Sequence, residues 1–240
     1  DMAEAVENVL KSYGVFVITG AGLKEIKEGT AVYTKNGEED TLDGDAILLA
    51  TGRGPNTEGL HAERAGVELT KRGAVVTDKH LRTTAENIWA AGDVCGNLQF
   101  TYISLDDSRI ILSDMQGDGS RTTENRGAFA YSVFMEPSFS RVGLSEKEAA
   151  DKGLNYRVVR MNTDMIPKAK VLRKTTGMLK AVIDKDSGKI FGAALFCPES
   201  YEIINMVKLA MDHDLDYTVL RDFIYTHPTM SEGLNDLFAL

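Results

Sequence analysis

The sequence has few cysteines, no long apolar run and no surplus of positive charge. Its two cysteines, Cys95 and Cys197, lie far apart without a second thiol near either, so neither a disulfide scaffold nor a cysteine metal site is expected. Cys95 is predicted to be a small buried side chain, because a lone thiol cannot store two electrons as a disulfide.

Two of these absences limit the kinds of partner. No apolar run approaches the roughly 18 residues that a membrane-spanning helix needs. The formal net charge is -9, with acidic and basic residues interspersed, which leaves no basic stripe to neutralise phosphates. We therefore expect no metal site, no nucleic-acid partner and no membrane association, and we expect a soluble cytoplasmic protein.

The composition itself is that of a globular protein. Of the 240 residues, 43% are hydrophobic, which is enough to build one large domain or two ordinary ones. The sequence begins at Asp1 and not at methionine, which predicts that residues are missing upstream.

The first fifty residues have the pattern of the end of an α/β domain. Apolar residues at helical spacing predict a short helix over residues 2–10, and Gly14 stands where a left-handed C-terminal cap belongs. A buried strand is predicted over residues 14–19, followed by a small antiparallel meander and a return strand over residues 46–50. These elements make sense as an appendage to a parallel sheet whose first strands are absent from the sequence.

After position 122 the pattern becomes that of a mostly antiparallel sheet flanked by helices. Ser145 and Glu148 have the spacing of a capping box, and one apolar helical face spans residues 203–211. A further helix is predicted after Pro228. Four segments have strand character: residues 130–134, 156–161, 177–183 and 189–196.

The first motif that could carry chemistry is ATGRGPNTEGL, residues 50–60. Gly52 and Gly54 leave the main chain uncovered by side chains, as the close approach of a planar or phosphorylated ligand requires. A simple exit from a strand into a loop, with Pro55 forming the turn, explains the motif equally well.

The second motif is NIWAAGDVCG, residues 87–96, an apolar strand that ends at a glycine and an aspartate. A carboxylate at this place can accept hydrogen bonds from ligand hydroxyls, while Gly92 and Val94 present their backbone to the ligand. Asp93 is therefore a candidate to bind a sugar alcohol. The alternative is that Asp93 caps a helix starting near Ser104.

The third motif is THPTMSEGLNDLF, which starts at Thr226. His227 precedes Glu232 by five positions, and Pro228 is predicted to fix the start of a helix. This spacing can bring carboxylate and imidazole together, so that Glu232 orients the ring for proton transfer. Without further context, a surface histidine beside a solvated glutamate would be the better explanation.

Together these motifs resemble the pyridine nucleotide-disulfide oxidoreductases, which include dihydrolipoamide, glutathione and mercuric reductases. The resemblance covers essentially the whole sequence, including PSFSRVGLSEKEA within residues 136–149. It implies an α/β plus α+β fold in three parts. Residues 1–47 would be the tail of an NAD(P)H-binding domain, residues 48–122 the C-terminal part of an FAD-binding domain, and residues 123–240 a complete antiparallel-sheet interface domain.

The resemblance also implies FAD and NAD(P)H as cofactors and a homodimer formed through the C-terminal domain. In the family, the residue matching Asp93 hydrogen-bonds the ribityl chain, and the glycine matching Gly52 lies by the nicotinamide dinucleotide. His227, oriented by Glu232, would act as acid and base on the redox thiols of the partner subunit. The candidate cofactor-binding residues are Gly52, Gly92, Asp93, Val94, Phe100, Thr101, Tyr102 and Ile103.

The implied substrate is a small-molecule disulfide or another oxidised acceptor. Residues 99–111 lack the Ala-rich pattern common there in lipoamide and glutathione enzymes, and the C-terminus lacks the cysteine pair typical of mercuric reductases. Mercury reduction is thus disfavoured. TYISLDDSRI and HPTMSEGLNDLF are most similar to a bacterial subgroup linked with oxidant resistance.

Three family elements are missing from the sequence: the loop for the flavin pyrophosphate, the redox-active cysteine pair and the NAD(P)H phosphate loop. The fragment alone is therefore expected to be inactive, and full-length protein to be the enzyme. The alternative is a truncated scaffold that mediates dimerisation without chemistry.

Overall fold

Two compact units make up the computed structural model, which describes residues 1–240. Residues 1–19 and 128–240 form one unit, here called the sheet unit. Residues 20–127 form the other, here called the loop unit. None of the helices is both long and apolar enough to cross a lipid bilayer.

Helices and strands alternate irregularly along the chain. The helices are α1 Met2–Ser12, α2 Thr101–Gln116, α3 Glu146–Asp151, α4 Pro167–Leu172, α5 Ser200–Asp212, α6 Thr218–Arg221 and α7 Gly233–Ala239. The strands are β1 Ala21–Lys27, β2 Thr30–Lys35, β3 Glu38–Asp43, β4 Ala130–Val133, β5 Phe139–Gly143, β6 Tyr156–Asn162, β7 Met178–Asp184 and β8 Ile190–Phe196.

The sheet unit is built on a five-stranded antiparallel sheet in the order β4-β5-β8-β7-β6. Helix α5 packs against β8 and β5, and α7 packs against β6 and β7. Apolar side chains from these elements form one core, in which Leu179, Leu195 and Leu237 are inaccessible to solvent. The predicted antiparallel sheet flanked by helices is confirmed.

All four strands predicted for this sheet are present, but β5 was not predicted. Its sequence, FSRVG, has the polar pair Ser140 and Arg141 in the middle, which interrupts the apolar alternation of a strand. Ser140 is nonetheless fully buried. Burial of its hydroxyl is tolerated because the hydroxyl lies 2.7 Å from the Ser132 hydroxyl and 2.8 Å from the Ser200 hydroxyl, within hydrogen-bonding distance of both. The capping box of Ser145 and Glu148 is confirmed at the start of α3.

The loop unit holds a three-stranded antiparallel sheet, β1-β2-β3, and the long helix α2. Between β3 and α2 the backbone is mostly irregular, with one short 3-10 turn at Ala62–Ala65 and another at Gly92–Cys95. Its apolar cores are small, each centred on three buried side chains. The α/β plus α+β fold class is confirmed for the chain as a whole.

Three strand predictions are wrong. Residues 14–19 and 46–50 form no strand, and Phe16 and Leu48 are 93% and 89% exposed. The second motif is not a strand either, because Trp89 makes only an isolated bridge with Arg82. A strand exists through backbone pairing with a neighbour, and no strand of this chain pairs with any of these segments.

Replacing Gly177 by alanine is predicted to destabilise the sheet unit by about 3 kcal/mol or more. Gly177 has a φ of 119°, and a Cβ there would lie 1.9 Å from the Phe196 carbonyl oxygen. Gly153→Ala is the matched control, since Gly153 also has a positive φ of 65° but open space around it. We expect a cost of about 1–2 kcal/mol for the control. Equal losses in denaturant unfolding would contradict the steric argument.

Candidate functional site

His227 and Glu232 are brought together just before α7. The His227 Nδ1 atom lies 2.8 Å from the Glu232 Oε2 atom. The imidazole side chain is 70% exposed, whereas the carboxylate side chain is only 12% exposed. A carboxylate accepts hydrogen bonds, so this contact places the ring proton on Nδ1 and leaves the Nε2 lone pair free for another group.

The carboxylate is held by the start of α7, which begins at Gly233 directly after Glu232. The Glu232 backbone N–H donates to the Thr229 hydroxyl at 3.3 Å, and that hydroxyl donates to the Thr226 carbonyl at 2.7 Å. The helix predicted after Pro228 is therefore present, but Pro228 lies outside it and follows a cis peptide bond. The turn at Thr229, not the proline ring, leads into the helix.

A second group of predicted residues meets in the loop unit. The Arg53 Nη1 atom lies 3.1 Å from the Asp93 Oδ2 atom, and Arg53 Nη2 donates to the Gln99 carbonyl at 2.7 Å. The first and second motifs are thus joined through Arg53, whose role the sequence pattern alone does not reveal. Its place between Gly52 and Gly54 was the only available signal. Asp93 does not cap α2, whose first turn has no side-chain cap.

The glycines of these motifs have different surroundings. Gly52 has a φ of 111°, and neither Gly52 nor Gly54 has any atom within 4 Å of where a Cβ would lie. Their backbone is therefore open to a ligand. Gly92 has a φ of 75°, and a Cβ there would lie 2.9 Å from the Ser104 hydroxyl. Gly92 must remain glycine because it packs closely against α2.

The predicted segment at the start of α2 presents both exposed and buried side chains. Phe100 is 38% exposed and Tyr102 is 71% exposed, and Thr101 is exposed as well. Ile103 is 5% exposed and faces the protein interior. Val94 is half-buried and packs against both small cores of the loop unit.

These residues suit a ligand that has hydroxyl groups and a flat ring system. The Asp93 carboxylate is 42% exposed and can accept hydrogen bonds from hydroxyls, while its charge is offset by Arg53. Exposed aromatic side chains and bare glycine backbone can approach a planar group closely. At Gly52 and Gly54 no atom lies within 4 Å of where a Cβ would be, so the backbone there is accessible to such a ligand.

Neither cysteine is suited to redox chemistry. Both thiols are free and buried, as predicted for Cys95. Burial raises the pKa of the Cys95 thiol to about 11, and the nearby Asp107 carboxylate adds to the shift. Burial likewise raises the pKa of the Cys197 thiol to about 12. Because the thiolate is the reactive form, both cysteines are structural.

Comparison with known proteins identifies the class to which this fold and these motifs belong. Residues 1–108 match the model of the pyridine nucleotide-disulphide oxidoreductases, and residues 129–238 match the dimerisation domain of the same family. The chain therefore belongs to the pyridine nucleotide-disulphide oxidoreductases, which confirms the resemblance found in the sequence.

Particular relatives narrow the similarity further. The chain is 47% identical to the probable pyridine nucleotide-disulfide oxidoreductase RclA of Escherichia coli, over 100% of this chain and 54% of the relative. It is 34% identical to a mercuric reductase of Staphylococcus aureus, over 98% of this chain and 43% of the relative. The chain spans about half the length of the curated relatives it matches.

A solved structure supports the same relationship. The HOCl-induced flavoprotein disulfide reductase RclA from Escherichia coli superimposes with a TM-score of 0.92 at 46% identity, covering 100% of this chain and 55% of that one. The match therefore extends over the whole length of this chain.

Both cysteines are predicted to resist a thiol reagent in the native protein. With a pKa of about 11 or above, only about one thiol in a thousand is ionised at pH 8. Alkylation followed by mass-spectrometric mapping should find Cys95 and Cys197 unmodified under native conditions. Both should react fully in guanidinium, which serves as the control. Native labelling as fast as unfolded labelling would refute the structural assignment.

Proposed function

We propose that this chain functions as part of an FAD-dependent reductase that uses NAD(P)H to reduce a disulfide or a related oxidised acceptor. The observation that carries the proposal is the contact between His227 and Glu232. An exposed imidazole held by a nearly buried carboxylate is an arrangement well suited to acid–base catalysis. Its position within the match to the family's dimerisation domain supports the same function.

The protein is proposed to act as a homodimer through residues 123–240, with His227 serving the redox thiols of the partner subunit. The match of residues 129–238 to a dimerisation domain supports this assembly. The 70% exposure of the imidazole also supports it, because the ring remains available to groups outside its own chain.

FAD is proposed to contact the residues gathered around Asp93 in the loop unit. Asp93 would accept hydrogen bonds from its ribityl hydroxyls, with Arg53 orienting the carboxylate. Gly52 and Val94 would offer backbone to the cofactor, whereas the buried Gly92 would shape the turn that presents Asp93. Phe100, Thr101 and Tyr102 would form the wall beside the ring, and the buried Ile103 would anchor that turn of α2 in the protein interior. When bound, FAD supplies the chemistry that passes electrons from NAD(P)H to a thiol pair.

Proton transfer is the task proposed for the chain's own residues. The Nε2 atom of His227 would take the proton of an attacking thiol and return it to the leaving thiolate of the substrate. Glu232 would fix the ring orientation and stabilise the imidazolium while the proton resides there. General acid–base catalysis of this kind contributes about a hundredfold or more to a rate.

The similarity to a disulfide reductase supports a disulfide or a related oxidised acceptor as the substrate class. The RclA structure from Escherichia coli is described as a flavoprotein disulfide reductase induced by HOCl. By this similarity, we propose a cytoplasmic role in redox homeostasis under oxidant stress.

Replacing His227 by alanine in the full-length protein should lower turnover about a hundredfold. Reduction of the flavin by NAD(P)H should be unchanged, since the imidazole acts only at the thiol stage. Stopped-flow absorbance measures the first half-reaction, and steady-state turnover with a disulfide measures both. His213→Ala is the control, because His213 is an exposed histidine of the same unit at the end of α5. Loss of both half-reactions would contradict the role.

Mixed dimers test whether His227 acts across the subunit interface. One subunit carries His227→Ala with intact redox thiols, and the other carries serine in place of the redox cysteines with His227 intact. If the histidine serves the partner subunit, one of the two sites is complete, so the mixed dimer should keep about half of wild-type turnover. An inactive mixed dimer would show that His227 serves its own subunit.

A further inference from the structure

Asp107 is a buried carboxylate that the proposed reaction does not use. It lies on α2 and is 3% exposed. Its Oδ2 atom accepts the backbone N–H of Gly92 at 2.8 Å, and its Oδ1 atom accepts a hydrogen bond from Arg126 Nη2 at 2.7 Å. Gly92 is the residue directly before Asp93, so the carboxylate holds the turn that presents Asp93.

Two arginines offset the charge of Asp107 and of its neighbour Asp106. Arg126 is only 14% exposed, and its Nε atom lies 3.5 Å from the Asp106 Oδ2 atom. Arg121 is paired with the other oxygen of Asp106. Of the two aspartates, only Asp107 reaches the backbone of the turn. The same ion-pair network therefore contains one aspartate that contacts Gly92, which is Asp107, and one that does not, which is Asp106.

We propose that Asp107 is a positioning residue that fixes the Gly92–Cys95 turn in the orientation in which Asp93 meets the flavin. The flavin part of this inference rests on the proposed function. Within the turn, the Gly96 N–H to Asp93 carbonyl bond is local and cannot set the direction of the turn relative to α2. The hydrogen bond from the Gly92 N–H to the buried Asp107 carboxylate on α2 can set this direction, because hydrogen bonds to a charged acceptor are short and strong.

Gly92 has few alternative positions once this bond is made. Its backbone has a φ of 75°, and the Ser104 side chain occupies the space where a Cβ would lie. The peptide before Asp93 is therefore confined by α2 on one side and by the carboxylate on the other. Without Asp107, the Gly92 N–H would lose its acceptor, and Arg126 would lose a partner in a site with little access to water.

The test uses Asp107→Ala and Asp107→Asn in the full-length protein, with Asp106→Ala as the matched control. Hydrogen–deuterium exchange of residues 92–95 in the apo-protein reports on the turn itself. Asp107→Ala should raise that exchange rate about tenfold, and the dissociation constant for FAD should rise about tenfold as well. Asp107→Asn retains an acceptor oxygen and should show a smaller effect. Asp106→Ala should leave both measurements near wild type.

The outcomes separate this inference from the proposed function. Equal exchange in the alanine variants of Asp106 and Asp107 would show that Asp107 acts only through general stability, which overturns the inference. Faster exchange with unchanged FAD affinity would overturn the link to the flavin. A colourless wild-type protein would contradict the proposed function and favour a dimerisation scaffold, while the exchange result would still decide the role of Asp107 in the turn. If Asp107→Ala does not fold, Asp107→Asn carries the same comparison.

Discussion

The packing of α7 into the core of the sheet unit is the constraint on which the proposed acid–base pair depends. Leu234 and Leu237 are inaccessible to solvent, and Phe238 is nearly so. Holding a surface histidine in one orientation costs side-chain rotamer entropy. A glutamate that was itself mobile could not fix the orientation of the imidazole. Because Glu232 directly precedes this buried helix, the free energy of core packing keeps the carboxylate in place while the imidazole stays in solvent.

The loop unit orders its site by a different means. Its two apolar cores are small, so much of its geometry depends on polar contacts between distant segments. Arg53 bonds to the Gln99 carbonyl, and the Thr57 hydroxyl donates to the Gly73 carbonyl at 2.7 Å. Each such hydrogen bond contributes only about 0.5–1.5 kcal/mol to the free energy of unfolding. A single polar substitution therefore disturbs this unit locally, whereas the sheet unit responds as one core.

The local sequence pattern predicts much of the fold, but it fails for segments whose structure depends on pairing with residues far away in the sequence. Strands β6, β7 and β8 were predicted because their apolar residues are consecutive or alternate within the segment itself. Strand β5 was missed because the burial of Ser140 depends on hydroxyl partners contributed by other strands and helices. Residues 14–19 and 46–50 have the composition of strands, but composition cannot supply a neighbouring strand.

The same limit explains which parts of the candidate sites could be predicted. His227 and Glu232 are close in sequence, so their contact could be anticipated, whereas Arg53 and Asp107 meet their partners only through the fold. In the proposed roles, a shielded carboxylate orients an outward-facing group in both units, Glu232 for the imidazole and Asp107 for the Asp93 turn. Their side chains are 12% and 4% exposed. Because counterions screen buried charges weakly, both orientations should depend little on the ionic strength of the solution.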